Sequence, residues 1–411
     1  MTDMLSVDAA RAAVLDRIHP LGSERISLHD AFNRCLAVDI AAPNDNPPHD
    51  NSAMDGYAVL FADIAGATHA SPVRLTVIED APAGTVPQKV VGPGQACRIM
   101  TGAPMPEGAD SVVRVEYTRG QGDAVEILEP EEELGDNVRR RGEDMQAGEL
   151  MLTAGTRIGP GEIGVLATAR RGYVPVARRP RLAILSSGDE LVEADEPMGP
   201  GQITNSNTPA LASMARACGA EPVILPIARD TEEAIRTSIL TALTCDFVVS
   251  SGGVSVGDYD FVKKVLTDLG ADEVLWRVAM KPGKPLFFCI LQDTPSFGLP
   301  GNPVSSLVSF LQFVRPAIRK ASGYPAEQWN LPTSRARVEH PLENDGDRHW
   351  FLRAQLRLDD DGCLRATTNH RGQGSHMITS MIGANGFVQL SPGERVEAGD
   401  FVTVQIVADV A

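Results

Sequence analysis

One loop in the middle of the chain combines residues that bind phosphate with residues that repel it. The stretch SSGGVSVGDYDF, residues 250–261, contains serine hydroxyls and glycines, which let backbone N–H groups approach an oxyanion. The same stretch carries the carboxylates of Asp258 and Asp260. Carboxylates and phosphates share a site when a hard cation bridges them, and Mg²⁺ binds through one or two carboxylates together with substrate phosphates. The stretch therefore suggests a metal-assisted phosphate site.

Two further loops have the same composition. SSGDEL (186–191) and GLPGNPVSS (298–306) each follow an apolar run and lead towards a predicted helix N-terminus, which favours anions. A single loop of this kind is weak evidence, since a strand-to-helix turn often needs glycine for its geometry alone. Three such loops favour a ligand that carries phosphate.

Charged residues gather in and beside these loops. The lysines of KPGKP, Lys281 and Lys284, are held close together by prolines and suit a polyanion, although solvated surface lysines would look the same. RRRGED (139–144) is open to the same two interpretations. Asp230 and Glu233 also match a helix capping box, and Asp258 and Asp260 could simply begin a helix. No histidines have metal-ligand spacing, so zinc catalysis is not indicated. The acids in or beside the loops are Asp55, Asp144, Glu190, Asp230, Asp258 and Asp260.

The elements that would position these loops form a central α/β unit, roughly residues 177–325. Continuous apolar strands alternate there with helices, which indicates a parallel sheet covered on both faces. Ligands of such sheets bind where loops leave the carboxyl ends of the strands. Before it, we expect a helix over 7–18 capped by Ser6, a second helix near 30–36, and short strands of a β unit. Short strands after residue 325 predict another small β domain.

Length and composition limit the class of protein. A chain of 411 residues suggests two to four domains. The net charge of −17 argues against general affinity for nucleic acid or anionic membranes. No apolar run approaches the ~20 residues of a membrane span, and the N-terminus lacks the features of a signal peptide. The six scattered cysteines indicate reduced thiols in a cytoplasmic protein.

Several longer motifs occur together and in a fixed order. They are NSAMDGYAV (51–59), RIMTGAPMPEGADSVV (98–113), RRRGEDM, ILSSGDEL, GQITNSN (201–207), SSGGVSVGDYDFVK, KPGKP and LPGNPVSS. With them the chain closely resembles the MoeA family of molybdopterin molybdenumtransferases, which includes the gephyrin E domain. The resemblance implies a multidomain α/β and β fold with a doubly wound central domain and a C-terminal β-barrel-like domain. The implied boundaries are a helical/β linker domain at 1–45 plus 142–176, an inserted β domain at 46–141, the molybdopterin-binding α/β domain at 177–325 and the C-terminal domain at 326–411.

The resemblance implies the last step of molybdenum-cofactor synthesis: molybdate enters adenylated molybdopterin, AMP is released, and Mg²⁺ assists. It also implies a cytoplasmic homodimer whose active site lies between the central domain of one subunit and the SAMDGYA-bearing domain of the other. Molybdopterin adenylyltransferase and molybdoenzyme maturation factors are possible partners; nucleic acid and membrane are not expected.

Three alternatives stay open. The chain could be a molybdopterin adenylyltransferase, although that enzyme is smaller and lacks the SAMDGYA motif and the C-terminal β domain. It could be a gephyrin-like scaffold, or a nucleotide hydrolase that shares only the central fold.

The resemblance also assigns residues to roles. Asp258 stands where related sequences can carry glutamate or another residue, so Asp260 is favoured for the cleft. Arg353 and Ser375 are weaker candidates for the oxyanion end. The implied catalytic residues are Asp55, Asp144, Glu190, Asp260, Lys281 and Lys284, and the implied metal ligands are Glu190, Asp230 and Asp260. The implied substrate-binding residues are Thr101, Arg139, Ser187, Gly188, Asn205, Ser251, Gly252, Gly253, Pro300, Pro303, Arg353 and Ser375.

Overall fold

The computed structural model describes residues 4–253, 261–368, 372–408 and 410. The N-terminal part contains two units that alternate along the chain. Its helices and strands are α1 (Val7–Asp16), β1 (Ser23–Ser27), β2 (Ile40–Ala41), β3 (Asn51–Ser52), β4 (Gly56–Val59), α2 (Phe61–Ile64), β5 (Val73–Ala81), β6 (Gln95–Ile99), β7 (Ser111–Arg114), β8 (Thr118–Gln121), β9 (Ala124–Ile127), β10 (Val138–Arg139), β11 (Leu150–Leu152), α3 (Pro160–Thr168) and β12 (Tyr173–Ala177).

The first unit is the six-stranded sheet β7-β4-β6-β5-β9-β8. We call it the inserted unit, because the chain enters it after β2 and leaves it before β11, and these two strands pair with each other. Its inner face carries alternating apolar residues, among them Tyr57, Leu75 and Val125. The short strands predicted from the sequence are therefore present.

The second unit is made from both flanks of the inserted unit. β1 pairs antiparallel with β12, and Leu36 packs with Leu166 and Val174 in one core. The helix predicted near 30–36 is wrong: only a 3₁₀ turn, Leu28–Asp30, forms. Asn33 has φ 61°, a left-handed conformation that ends a helix.

Helix α1 is capped as predicted, since the Ser6 hydroxyl accepts a hydrogen bond from the Ala9 N–H at 3.2 Å. Its buried face, Val7 and Val14, packs into the core of the central unit and not against β1 or β12. The domain boundaries drawn from the resemblance stay a prediction, and α1 lies with the central unit.

The central unit is an α/β domain built on a six-stranded sheet. Its elements are β13 (Arg181–Ser186), β14 (Leu191–Val192), β15 (Ile203–Thr204), α4 (Asn207–Cys218), β16 (Glu221–Ile224), α5 (Glu232–Ala242), β17 (Phe247–Ser251), α6 (Phe261–Asp268), β18 (Asp272–Trp276), β19 (Met280–Lys281), β20 (Phe287–Leu291), β21 (Thr294–Leu299), α7 (Pro303–Ser309), a π-helical stretch (Phe310–Val314) and α8 (Arg315–Ala321).

Both faces of this sheet are buried, as the apolar strands predicted. Leu182 and Ile184 of β13 face a core shared with α1, α4, α7 and α8, while Leu185 faces the core under α5 and α6. The strand order is β16-β13-β17-β21-β20-β18. The first four strands are parallel, but β20 and β18 are antiparallel to their neighbours, so the sheet is mixed. Only Gln292 and Asp293 connect β20 to β21, and a connection this short can join only antiparallel strands.

The C-terminal domain is a closed barrel. Its strands are β22 (Thr333–Val338), β23 (Leu342–Glu343), β24 (His349–Leu358), β25 (Leu364–Thr368), β26 (Gly386–Leu390), β27 (Arg395–Val396) and β28 (Phe401–Ile406). The pairings run β24-β25-β22-β28-β26 and return to β24, so these strands leave no open edge in the ring. β19 of the central unit adds to β24 from outside. The barrel-like C-terminal domain is confirmed.

All six cysteines are unpaired, in agreement with the reduced thiols expected from their spacing. In the described part of the chain, no helix has the length and apolar character that a membrane crossing requires.

Candidate active site

The three glycine- and serine-rich loops meet at the carboxyl ends of β13, β17 and β21. They line one cleft of ≈ 620 Å³. Asn207, at the start of α4, ties two of them together: its Nδ2 donates to the Ser251 hydroxyl and to the Gly301 carbonyl, both at 2.8 Å. A Cβ on Gly301 would lie 3.8 Å from the Gly252 Cα. The prediction that these loops share one sheet edge is confirmed.

Two of the loop glycines are required by their surroundings. Gly188 has φ 150°, and a Cβ there would lie 2.6 Å from the Glu190 carboxylate. Gly253 has φ 67°, and its Cβ would lie 2.5 Å from Cγ2 of Val262 on α6. Both conformations disfavour any side chain. The Val262 contact adds a steric restriction at Gly253, whereas the flexible Glu190 carboxylate could move away from a Cβ at position 188. These glycines therefore set the loop geometry, whether or not a ligand is bound.

The cleft is lined by five of the twelve predicted substrate-binding residues, by the predicted metal ligand Glu190, and by residues that were not predicted. Gly188 and Pro300 are buried behind the loops. Several polar lining residues were not predicted, although two of them, Ser206 and Asn207, are the last two residues of the GQITNSN motif. The predicted residues that line the cleft are Ser187, Glu190, Asn205, Ser251, Gly252 and Pro303, and the additional lining residues include Ser206, Asn207, Asn302, His376 and Ile378.

The acids near the cleft are only partly described. Glu190 is exposed, lines the cleft and forms no ion pair with a residue in the described ranges. Asp230 lies beside it: its Oδ2 accepts a hydrogen bond from the Asp189 N–H at 3.3 Å. Asp258 and Asp260 lie outside the described residues. Within the ranges that the structure describes, no three His, Cys, Asp or Glu side chains form a ready metal cluster.

The capping box predicted at Asp230 is wrong. The N-cap of α5 is Thr231, whose side chain accepts a hydrogen bond from the Ala234 N–H at 3.2 Å. Helix capping therefore does not account for the Asp230 carboxylate, which instead lies against the loop that carries Glu190.

A second group of predicted residues lies on the inserted unit or at its border. Asp55 Oδ1 accepts hydrogen bonds from both the backbone N–H and the hydroxyl of Thr101, at 2.7 and 2.9 Å. The backbone hydrogen bond first, and then the hydroxyl, hold the pKa of Asp55 below its usual range. Arg139 is exposed on β10, which pairs with β3, and it forms no ion pair with a described residue. Asp144 accepts a hydrogen bond from the Asn46 amide at 2.8 Å.

The lysine pair lies where the central unit meets the barrel. Lys281 and Lys284 are both exposed, and the Lys281 Nζ lies 3.9 Å from the centroid of the Trp350 ring. Gly283 between them has φ 104°, and a Cβ there would lie 2.6 Å from the Ser309 hydroxyl. That hydroxyl is buried without a hydrogen-bond partner among the described residues, and nothing in the local sequence singled it out.

Arg353 and Ser375 connect the barrel to the cleft. Arg353 is fully buried and donates to the Gly374 carbonyl at 3.2 Å and to the Ser380 hydroxyl at 3.1 Å. Burial lowers its pKa to about 10. The Ser375 carbonyl accepts a hydrogen bond from the Val304 N–H at the start of α7, at 3.0 Å. These contacts hold the barrel segment that carries His376 against the cleft.

Comparison with known proteins covers every part of this architecture. Residues 5–169 match the MoeA N-terminal region (domain I and II), residues 183–320 a probable molybdopterin binding domain, and residues 335–407 the MoeA C-terminal region (domain IV). A molybdopterin molybdenumtransferase of Nostoc sp. is 41% identical over 93% of this chain and 88% of its own length. The chain belongs to the MoeA family of molybdopterin molybdenumtransferases.

Other members of the MoeA family show the same extent of similarity. A molybdopterin molybdenumtransferase of Bacillus subtilis is 37% identical over 94% of this chain and 90% of its own length. The crystal structure of the molybdopterin biosynthesis moea protein from Pyrococcus horikosii superposes with a TM-score of 0.83 at 32% identity, covering 99% of this chain and all of that one. The MoeA resemblance seen in the sequence motifs is confirmed.

Proposed function

We propose that this chain is a molybdopterin molybdenumtransferase, which inserts molybdate into adenylated molybdopterin and releases AMP. The observation that carries the proposal is the family match through the N-terminal, central and C-terminal regions, in a chain whose three central loops form one cleft. A molybdopterin adenylyltransferase would need only the central unit, so the flanking regions favour the transferase.

The residues divide the work by charge. Ser187, Ser251 and the backbone at Gly252 would hold the pyrophosphate, because hydroxyls and N–H groups bind oxyanions without a charge of their own. Lys281 and Lys284 form no ion pair with a described residue and would attract molybdate. Bringing these two anions together costs electrostatic repulsion, which the lysines would offset. A cleft acid would take part in removing an oxide of molybdate as water.

The donor groups near the cleft fit Mg²⁺. Glu190 has an exposed carboxylate that forms no hydrogen bond or ion pair with a described residue, and Asp230 lies one loop away. Both offer hard oxygen ligands, which Mg²⁺ prefers. We expect Glu190, Asp230 and Asp260 to hold the ion. When bound, it would polarise the pyrophosphate that loses AMP.

The site would be completed by a second copy of the chain. Asp55, Arg139 and Asp144 belong to the inserted unit or its border, and none of them lines the cleft as the described residues define it. A homodimer that places the inserted unit of one subunit over the cleft of the other would bring these groups to the substrate.

The test supplies two substrate pairs to the purified chain. Adenylated molybdopterin with molybdate should yield AMP and active cofactor, whereas molybdopterin with ATP should not react. Glu190→Gln should lower the rate of AMP release about 100-fold or more and raise the Mg²⁺ concentration that gives half-maximal rate. Asp123→Asn, at the exposed β8–β9 turn, is the matched control and should leave both values unchanged. Turnover of the ATP pair alone would contradict the proposal, and full activity in excess chelator would remove its Mg²⁺ component.

A further inference from the structure

One wall of the cleft comes from the C-terminal barrel. His376 and Ile378 line the cleft beside residues of the central loops, and both lie on the segment between β25 and β26. The imidazole of His376 is exposed and forms no hydrogen bond or ion pair with a described residue. Its ring nitrogens are therefore available to a ligand.

The charge of the cleft gives His376 a specific role. Among the described lining residues, only Glu190 and His376 have acidic or basic side chains. The other polar lining groups are hydroxyls and amides, and the lining includes no lysine or arginine. A ligand with a pyrophosphate adds negative charge to that of Glu190. Histidine is then the one side chain of this lining that can supply positive charge.

The segment that carries His376 is fixed on both sides. Immediately before it, the Ser375 carbonyl accepts the Val304 N–H of α7 at 3.0 Å. Arg353, fully buried in the barrel, donates to Gly374 at 3.2 Å and to Ser380 at 3.1 Å. Holding the backbone at these points reduces the entropy lost when the side chain engages a ligand. Contacts on both sides of His376 therefore fix its position beside the loops.

We propose that His376 is a substrate-contacting residue that donates a hydrogen bond to the pyrophosphate of adenylated molybdopterin. The inference rests on the proposed function and adds a residue of the barrel to the nucleotide site. The pyrophosphate is favoured over the base because His376 shares its cleft with Ser187, Ser251 and Gly252, the groups proposed above to hold the pyrophosphate.

The experiment measures the dissociation constant of adenylated molybdopterin in the absence of molybdate. His376→Ala should weaken binding about tenfold, the amount expected for loss of one charge-assisted hydrogen bond. His29→Ala, at an exposed histidine in the 3₁₀ turn of the N-terminal part, is the matched control and should bind like the unaltered chain.

A competition series identifies the contacted group. AMP and adenosine are each used as competitors of the adenylated substrate. His376→Ala should weaken the binding of AMP and leave the binding of adenosine unchanged. Unchanged affinity of the adenylated substrate in His376→Ala, or an equal loss for AMP and adenosine, would overturn the assignment. The unaltered chain separates the two proposals: if it does not bind adenylated molybdopterin at all, the proposed function fails and the His376 contact fails with it.

Discussion

Asp55 is an exposed acid whose negative charge is stabilised by a neighbouring residue. Thr101 donates two hydrogen bonds to one oxygen, Oδ1, and these bonds lower the pKa of the carboxyl group. The residue is exposed, so these two hydrogen bonds hold a carboxylate that contributes little to the core. An acid held ionised and fixed at the surface is suited to contact with a substrate bound by another subunit.

Replacement of Asp55 should therefore affect catalysis far more than folding. Asp55→Asn keeps the Oδ1 acceptor but removes the charge, and we expect AMP release to fall about 100-fold or more. Thr101→Val keeps the backbone donor and loses the hydroxyl, which should slow the reaction about fivefold. Steady-state rates and thermal unfolding midpoints test this. An Asp55→Asn variant with normal turnover would refute the assignment, as would one that is unfolded at the assay temperature.

At the scale of elements, the loop after β17 reaches α6 through a glycine. Gly253→Ala combines a strained φ with a contact of 2.5 Å to Val262, whereas Gly270→Ala has the same sign of φ, 86°, and open space around its Cβ. In both variants the left-handed backbone should lower the free energy of unfolding by about 1–2 kcal/mol. Only in Gly253→Ala should overpacking lower the free energy of unfolding by a further ~1–3 kcal/mol. Denaturant unfolding measures the difference, and equal losses in the two variants would show that α6 does not restrain this loop.

The loop that carries Asp144 is held by two other carboxylates. Asp45 accepts a hydrogen bond from the Ala147 N–H, and Asp50 from the Arg141 N–H, both at 2.8 Å. These backbone bonds first, and the neighbouring arginine side chains next, lower the pKa of both acids below 3.8. A lowered pKa means that the stabilisation is complete above pH 3.8 and is lost as the pH falls through the folded-state value.

As the pH is lowered, this loop should therefore lose its hydrogen-exchange protection before the sheets do. Hydrogen-exchange protection of residues 140–147, corrected for intrinsic rates, should be constant at neutral pH and fall below about pH 3.8. An Asp45→Asn, Asp50→Asn double variant should show the same loss of protection at pH 7. Protection that is equal in the variant and the unaltered chain would mean that other contacts hold the loop.

These elements also show what a sequence can predict. Strands such as β13 and β17 are continuous apolar runs, and burial on both faces follows from that local pattern. The N-cap of α5 was predicted one residue early, because Asp230 and Thr231 are both good capping residues and only the backbone decides between them. The antiparallel β20 was missed because Gln292 and Asp293 lack the glycine that usually marks a hairpin turn.

The candidate site was predictable in its loops and not in its complete lining. Glycine and serine at strand ends identify the central loops, because the groups that would bind a ligand are contiguous in the sequence. His376 belongs to a different domain, and its place in the cleft depends on how Arg353 and Ser375 hold the barrel against α7. Contacts between distant segments of this kind have no local sequence pattern. The Ser309 hydroxyl next to Gly283 escaped notice for the same reason.

At the scale of the whole molecule, the proposed machinery is split between two places. Glu190 lines the central cleft, while Asp55 and Thr101 lie on the inserted unit, and in the described chain no residue of that unit lines the cleft. If the reaction needs both acids, Asp55 of one subunit must complete the cleft of the other. A symmetric dimer then contains two equivalent sites, each made from both chains.

Mixed dimers test this arrangement directly. Asp55→Asn and Glu190→Gln should each be inactive as homodimers, because every site then lacks one acid. When the two variants are mixed and allowed to exchange subunits, about half of the dimers are mixed, and each has one site with both native acids, so about a quarter of the native activity should return. Mixing Asp55→Asn with Thr101→Val supplies the control: both changes fall on the same half-site, so subunit exchange should add nothing to the residual activity of Thr101→Val. If each site lay within a single chain, the Asp55→Asn and Glu190→Gln mixture would stay inactive, because every chain in it would still lack one of the two acids.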